Sequence, residues 1–500
     1  MNILKPANFE EFAALAAEGN TVAVERTVPA DLLTPLAAYI RLSKNSDYSF
    51  LLESVEGGEH LARYSFLGAE PLLVIRSHAG ETKVATTSGE KAMPGITAID
   101  YLREHFRGRQ LARPGDYTPM AGGAVGYLGY GAAQWFDPAM QALPSEDNDA
   151  MFMIFRTIVA FDHARQELKI TTVAMTDEAG EGEEREAKLK DLYLEAVART
   201  EKIVTGLRDA VELRTPVKKV EEGGEFESNF EPEAFKQAVT DCKELIAAGE
   251  CFQIVPSQRF SRKTGAGPVA IYRALRMTNP SPYMFLLRCG EESLIGASPE
   301  MLVRCTGRQL EYRPIAGTRP RSNDREEDAR LAKEMLADEK ECAEHVMLVD
   351  LGRNDLGRVA EYGSVKPTRL MKVEKYSHVQ HMVTELEATL REGLDRFDAL
   401  GACFPAGTVT GAPKIRAMQA IAELEKTPRG VYSGSVIYAD YAANLDSCIA
   451  IRTIELRRGV AKVQAGAGIV ADSVPESELQ ETINKARALQ QAVAIAEAGF

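Results

Sequence analysis

The sequence predicts an α+β protein with a large strand content, on three observations. Short apolar runs of β type recur from end to end, helical periodicities fall between them at irregular intervals, and no βαβ rhythm or internal repeat links them. Five hundred residues at 45% hydrophobic composition are enough for one large or two medium domains with substantial cores.

Over residues 1–175, runs such as Pro71-Leu72-Leu73-Val74-Ile75 and Met151-Phe152-Met153-Ile154-Phe155 lie between Gly-rich turns and read as strands. The composition shifts at Thr176. Residues 176–184 are rich in acid, Leu189, Leu192, Leu194 and Val197 suit an exposed helix, and a second acidic patch runs from Glu221 to Glu227. Residues 176–229 are therefore expected to be a linker between an N-terminal region and a second region over 230–500. In that second region Asp324 to Val349 reads as one helix carrying Ala329, Leu331, Met335, Leu336, Val346 and Met347, with Glu341 and Glu344 on a shared face. Val379 to Thr384 reads as a strand, and Lys414 to Glu425 as a helix with Pro413 at its first position. Strands follow at Val436 to Ala439, Ile449 to Leu456 and Ala461 to Gln464, then a closing helix from Ser477 to Ala496.

The formal net charge of −14 argues against nucleic acid or an anionic membrane as partner, since both need a basic surface. An anionic substrate would need positive charge gathered locally. No run approaches the ~18 apolar residues that cross a bilayer, and the first residues lack a secretory pattern, so a cytoplasmic location is expected. The seven cysteines are odd in number and form no C-x-x-C pair, which suits reduced, mostly buried thiols.

Two Gly-rich segments invite a phosphate-binding reading, and neither holds it. In Gly407-Thr408-Val409-Thr410-Gly411-Ala412-Pro413-Lys414 the spacing is wrong and a proline precedes the lysine. Gly466-Ala467-Gly468-Ile469-Val470-Ala471 fits G-x-G-x-x-A but is followed by Asp472-Ser473-Val474-Pro475, so its glycines open no helix. What remains is bare backbone N–H that a carboxylate could approach closely. Glu478, Glu481 and Lys485 share one face of the closing helix, as in any salt-bridged surface helix; with Glu344 from the earlier helix, two carboxylates would also suit Mg²⁺. His378 and His381 point to opposite faces of a strand, which disfavours joint metal ligation. A single histidine there is either packed or available for proton transfer.

Taken in order, the motifs resemble one family, the chorismate-utilising enzymes, and within it the large subunit (component I) of anthranilate synthase. They are Leu51-Leu52-Glu53-Ser54, Asn279-Pro280-Ser281-Pro282-Tyr283-Met284, Gly296-Ala297-Ser298-Pro299-Glu300 and Pro314-Ile315-Ala316-Gly317-Thr318-Arg319-Pro320-Arg321. Asp338 to Asp350, Pro405 to Lys414 and Gln464 to Lys485 complete the set. The resemblance covers nearly the whole chain. It implies large β-sheet layers flanked by helices.

It also implies the roles of residues. Glu344 and Glu481 would bind Mg²⁺ holding the ring carboxylate of chorismate; Tyr432 and Arg452 would grip the enolpyruvyl side chain; Gly466, Ala467, Gly468 and Lys485 would cradle carboxylate oxygens, with Gly317 and Thr318 in the same pocket. The implied reaction adds ammonia at C2 with loss of the C4 hydroxyl, then eliminates pyruvate. Glu300 would be the general acid, His381 the base or orienting group, and Thr408 would position substrate. Relatives that make aminodeoxychorismate carry lysine where this chain has Ala316, and water-adding relatives place a lysine near Gln253. Aminodeoxychorismate or aminodeoxyisochorismate synthesis is the alternative reading, and a non-catalytic homologue is disfavoured by the full set of acid, base and metal residues. No Gly-x-Cys-x-Gly elbow is present, so ammonia would come from a separate glutamine amidotransferase subunit, in a hetero-oligomer such as a heterotetramer, or from solution. Ser54, Pro282, Tyr283 and Met284 resemble the family's site for tryptophan as feedback inhibitor.

Overall fold

The computed structural model describes residues 3–54, 63–208, 224–322, 324–376 and 379–499. Two sheets of twelve strands each dominate it. The first runs from Ile3–Lys5 through Tyr48–Glu53, Tyr283–Cys289, Glu292–Ser298, Thr453–Arg457 and Val460–Gly466 to Ser257–Lys263 and Glu227–Ser228. The second includes Ile315–Pro320, Val379–Thr389, Met301–Thr306, Leu445–Ile449, Ser435–Asp440, Gly123–Leu128 and Ala150–Phe155.

The apolar runs are continuous because both faces of these strands are buried. Phe285 and Leu287 pack between the two sheets with Val125, Met153 and Phe155, while Leu286 of the same strand turns to the helices on the far side. Ala124, Phe152 and Ile154 do the same for the second sheet, meeting helices Ala98–Phe106, Glu339–Gly357 and Arg396–Cys403. The result is a sheet-on-sheet core with helices on each outer face, the layering implied by the resemblance.

Both sheets mix strands from before residue 175 with strands from beyond 230. Tyr48–Glu53 pairs with Tyr283–Cys289 in one, and Gly123–Leu128 with Ser435–Asp440 in the other, both antiparallel. Helix Arg185–Gly206, inside the acidic segment read as a linker, buries Leu189, Tyr193, Ala196 and Val204 and packs on strands Thr21–Pro29 and Glu167–Met175. Its exposed charges dominate the composition, and its spaced buried side chains do the packing. Part of the second acidic patch, residues 221–223, and His378 lie outside the described residues.

Three element boundaries differ from the sequence expectation. Asp324 to Val349 is two helices, Arg325–Ala337 and Glu339–Gly357, divided at Asp338. Asp338 is extended (ψ 107°), and its carboxylate accepts from the N–H groups of Lys340 and Glu341, capping the second helix. Apolar spacing passes through such a break unchanged, so periodicity could not show it. Ile449 to Leu456 is likewise two strands, Leu445–Ile449 and Thr453–Arg457, separated by Arg452 at φ 50°. Pro413 is the N-cap of helix Lys414–Leu424, one residue earlier than expected. Six cysteines are buried free thiols and Cys342 is partly exposed. Among the described residues no helix is long and apolar enough to cross a membrane.

Candidate active site

A cavity of about 410 Å³ opens where the closing helix Pro475–Ala498, helix Glu339–Gly357 and the ends of several strands meet. The closing helix contributes Glu478, Glu481 and Lys485; the other helix contributes Lys340, Glu344 and Leu348. Strand Val460–Gly466 and the residues after it supply Gln464, Gly466 and Gly468, the turn Gly407–Val409 supplies Thr408, and the broken strand supplies Ile451 and Arg452. Gln253, Glu300, Ile315, Ala316 and Tyr432 also line it.

Both signs of charge converge here. Burial raises the carboxyl of Glu344, and the negative charge of Glu481 raises it further. Burial also raises Glu478, again with Glu481 adding to the effect. Lys485 bonds Glu481 at 2.6 Å and the carbonyl of Gly466 at 3.0 Å. Arg452 differs: among the described residues its guanidinium makes no hydrogen bond or ion pair, and burial lowers its pKa. A half-buried guanidinium without a partner is a docking point for an anion. Two carboxylates that repel each other, with oxygen as the only donor atom, match a hard divalent cation that keeps part of its water shell. Among the described residues no group of three or more His, Cys, Asp or Glu side chains is gathered to hold a metal unaided.

Glu300 follows strand Glu292–Ser298 and is buried, its carbonyl accepting from the N–H of Ile449 at 3.0 Å. Burial pushes its carboxyl up to about 8, partly offset by the Thr408 hydroxyl and the charge of Lys485. It is therefore an uncharged acid at neutral pH, able to give up a proton inside the cavity.

Gly317, Thr318 and His381 are not among the residues that line the cavity; they sit next to Ala316, which does. The register of strand Ile315–Pro320 against Val379–Thr389 shifts between Ala316 and Thr318, and Gly317 takes up the bulge at φ 64°. A side chain there would be strained and would meet Glu341 Oε2 at 2.9 Å. The bulge turns the Gly317 carbonyl toward His381, whose Nδ1 lies 3.0 Å away, with Thr318 Oγ1 at 3.1 Å. A carbonyl only accepts, so Nδ1 carries the proton and Nε2 keeps the lone pair. Burial lowers the His381 pKa, holding the ring neutral.

Gly466 and Gly468 line the cavity, whereas Ala467 turns into the core and donates its N–H to the carbonyl of Pro256 at 3.2 Å. Ala467 offers no free donor to a ligand. A Cβ on Gly466 would lie 2.8 Å from both the Tyr432 hydroxyl and the Pro256 carbonyl, so glycine is required by close approach.

The sequence reading assigned no role to Gln464, Lys340 or Glu478. Lys340 and Glu344 are four apart on one helix, a spacing that places them together; nothing local marks Gln464. A second cavity, of about 280 Å³, brings together Ser54, Pro282, Tyr283 and Met284 with Glu53, Tyr64, Arg304, Tyr438 and Asp446. Arg304 donates to Asp446 at 3.0 Å and to the Tyr283 hydroxyl at 3.3 Å, and that hydroxyl donates to Asp446 at 3.2 Å.

The family model for chorismate binding enzymes matches residues 47–491. Anthranilate synthase component 1 of Pseudomonas aeruginosa is 41% identical, over 98% of this chain and 99% of its own. The protein of that name from Synechocystis is 42% identical, over 97% and 98%. The crystal structure of anthranilate synthase component I from Streptococcus pneumoniae superposes with a TM-score of 0.75 at 34% identity, covering 93% of this chain and 99% of that one.

Proposed function

Because the chain belongs to the chorismate binding enzyme family, we propose that it converts chorismate and ammonia to anthranilate and pyruvate. One observation carries the reading: the unpartnered guanidinium of Arg452 shares a cavity with the facing carboxylates of Glu344 and Glu481 and the uncharged acid Glu300. A cation-binding pair, an anion-binding fork and a buried proton donor are what a dianionic substrate with a leaving hydroxyl requires.

Arg452 and the Tyr432 hydroxyl bind the enolpyruvyl carboxylate, and Lys485 with the backbone of Gly466 and Gly468 lies along the carboxylate path. Glu344 and Glu481 would hold Mg²⁺, which when bound supplies positive charge for the ring carboxylate. Glu300 gives its proton to the C4 hydroxyl as it leaves as water while the C2–N bond forms, and Thr408 orients the substrate beside it. For elimination we assign removal of the C2 proton to His381, which stands just outside the cavity wall beside Ala316, its Nδ1–H held by the Gly317 carbonyl and its Nε2 lone pair left free. The ring becomes aromatic as pyruvate departs.

Ala316 lines the cavity with a methyl group. It offers no amine there, so the ammonia-adding reaction is favoured over aminodeoxychorismate synthesis. The six buried thiols are poor nucleophiles for glutamine hydrolysis, and the seventh, the partly exposed Cys342, donates its S–H to the Leu336 carbonyl at 3.4 Å and stands in no Gly-x-Cys-x-Gly elbow. Ammonia would then come from a separate glutamine amidotransferase subunit in a hetero-oligomer. We assign tryptophan, as feedback inhibitor, to the second cavity, whose walls come from residues 1–175 and 230–500 alike. Incubation with chorismate, Mg²⁺ and ammonium should produce fluorescent anthranilate; accumulation of a non-aromatic amino product instead would overturn the reading.

A further inference from the structure

Gln464 lines the candidate active site and is 7% exposed, yet its buried Oε1 has no hydrogen-bond partner among the described residues. The orientation of that amide is settled by what stands behind it. Gln464 Nε2 lies 2.8 Å from Ser257 Oγ, and Ser257 Oγ lies 2.8 Å from Glu425 Oε1. A carboxylate only accepts, so the Ser257 hydroxyl donates to Glu425 and must itself accept; the group facing it has to be the amide NH₂. The amide oxygen is left over. Glu425 is held in turn by Arg429, with N–O distances of 2.7 and 2.9 Å, and neither side chain can turn away because both are buried.

An orphaned buried acceptor is destabilising, and three residues are arranged to keep this one orphaned. The natural occupant is a donor that arrives with the reactants. In the reaction proposed above, on which this inference rests, the substrates offer two kinds of donor. The C4 hydroxyl is matched to Glu300, which must donate to it, leaving the N–H groups of ammonia. Lys340, Arg452 and Lys485 line the cavity as donors only, and the Gly466 carbonyl is already engaged by Lys485. Gln253 also has a free Oε1, but its NH₂ is tied to Glu344 at 3.3 Å and its setting changes with whatever Glu344 binds.

We propose that Gln464 Oε1 accepts an N–H of the incoming ammonia and aims its lone pair at the substrate, with Ser257 as the residue that positions the amide. A neutral amide oxygen suits this task, because it holds the amine without protonating it or taking its proton before the C–N bond forms.

The test uses the full chain with Mg²⁺, chorismate and ammonium as nitrogen source. Gln464→Met, similar in volume but without the acceptor, should raise the KM for ammonium about tenfold, the worth of one hydrogen bond, and leave the KM for chorismate within about twofold. Ser257→Ala frees the amide to turn and should raise the ammonium KM by a smaller factor, again without moving that for chorismate. An unchanged ammonium KM in either active variant, or a rise confined to chorismate, overturns the inference. If Gln464→Met is inactive, the Ser257→Ala result decides. Failure of the unaltered chain to form anthranilate overturns the functional reading itself and this inference with it.

Discussion

Arg429 and Glu425 form an ion pair at 2.7 Å, their side chains 1% and 4% exposed, directly behind the wall of the candidate active site. The guanidinium also donates to the carbonyls of Val409 at 2.8 Å and Val255 at 2.6 Å, and both residues line the cavity. Two further chain segments, around Val255 and around Val409, are thus tied to one buried charge pair. Glu425→Ala leaves that guanidinium buried and uncompensated, which should destabilise the protein by about 3–5 kcal/mol. A urea unfolding midpoint equal to that of the unaltered chain would refute this.

Glu300 sets the pH dependence. Its carboxyl is pushed up to about 8 by burial, so the acid form needed for catalysis is present below that pH and lost above it. Turnover should fall as pH rises through about 8. Stability should fall in the same direction between the ordinary carboxyl value of 4.5 and about 8, because there the folded chain holds a proton that the unfolded chain has released. Glu300→Gln should lower kcat by about 10²–10⁴ and remove the alkaline limb of the pH–rate profile.

Glu344 and Glu481 repel each other across the cavity, and that repulsion is relieved by a cation. Glu481→Gln should weaken Mg²⁺ binding by about tenfold or more and abolish turnover at low millimolar Mg²⁺. A variant with an unaltered Mg²⁺ saturation curve would sink the metal assignment.

Ser54 lies in the second cavity and not in the first. Ser54→Phe should therefore reduce inhibition by tryptophan while leaving the KM for chorismate unchanged, read from initial rates with and without tryptophan. Inhibition that persists undiminished would remove tryptophan from this cavity.

Gly466→Ala tests close approach. The added methyl would press on the Tyr432 hydroxyl and the Pro256 carbonyl, each 2.8 Å away, in a strand whose partner Ser257 cannot move freely. The expected outcome is a raised KM for chorismate in a chain that still folds, measured by kinetics together with circular dichroism.

Much of the fold was legible from the chain alone where pattern and burial agree. Met151 to Phe155 is apolar at every position because alternate side chains enter different cores, and such a run reads as a strand without further help. Where a boundary depends on one backbone angle, pattern is blind: Asp338 divides a helix and Arg452 divides a strand with no interruption in the apolar spacing. The same holds for the site. Glu481 and Lys485 could be placed on one face by helical spacing, but that face resembles any charged surface until helix Glu339–Gly357 is seen opposite it.

Sequence by itself determined the α+β class with its large strand content and the ordered motifs that mark the family, because these follow from local periodicity and residue identity; the layers were implied only by the resemblance those motifs carry. Tertiary structure alone decided that Arg452 stands unpartnered among the described residues, that Ala467 faces the core between two cavity glycines, and which way the Gln464 amide must point. Those facts depend on distances between residues far apart in the chain. Ser257 and Gln464 are 207 positions apart and 2.8 Å in contact, a relationship no local spacing encodes.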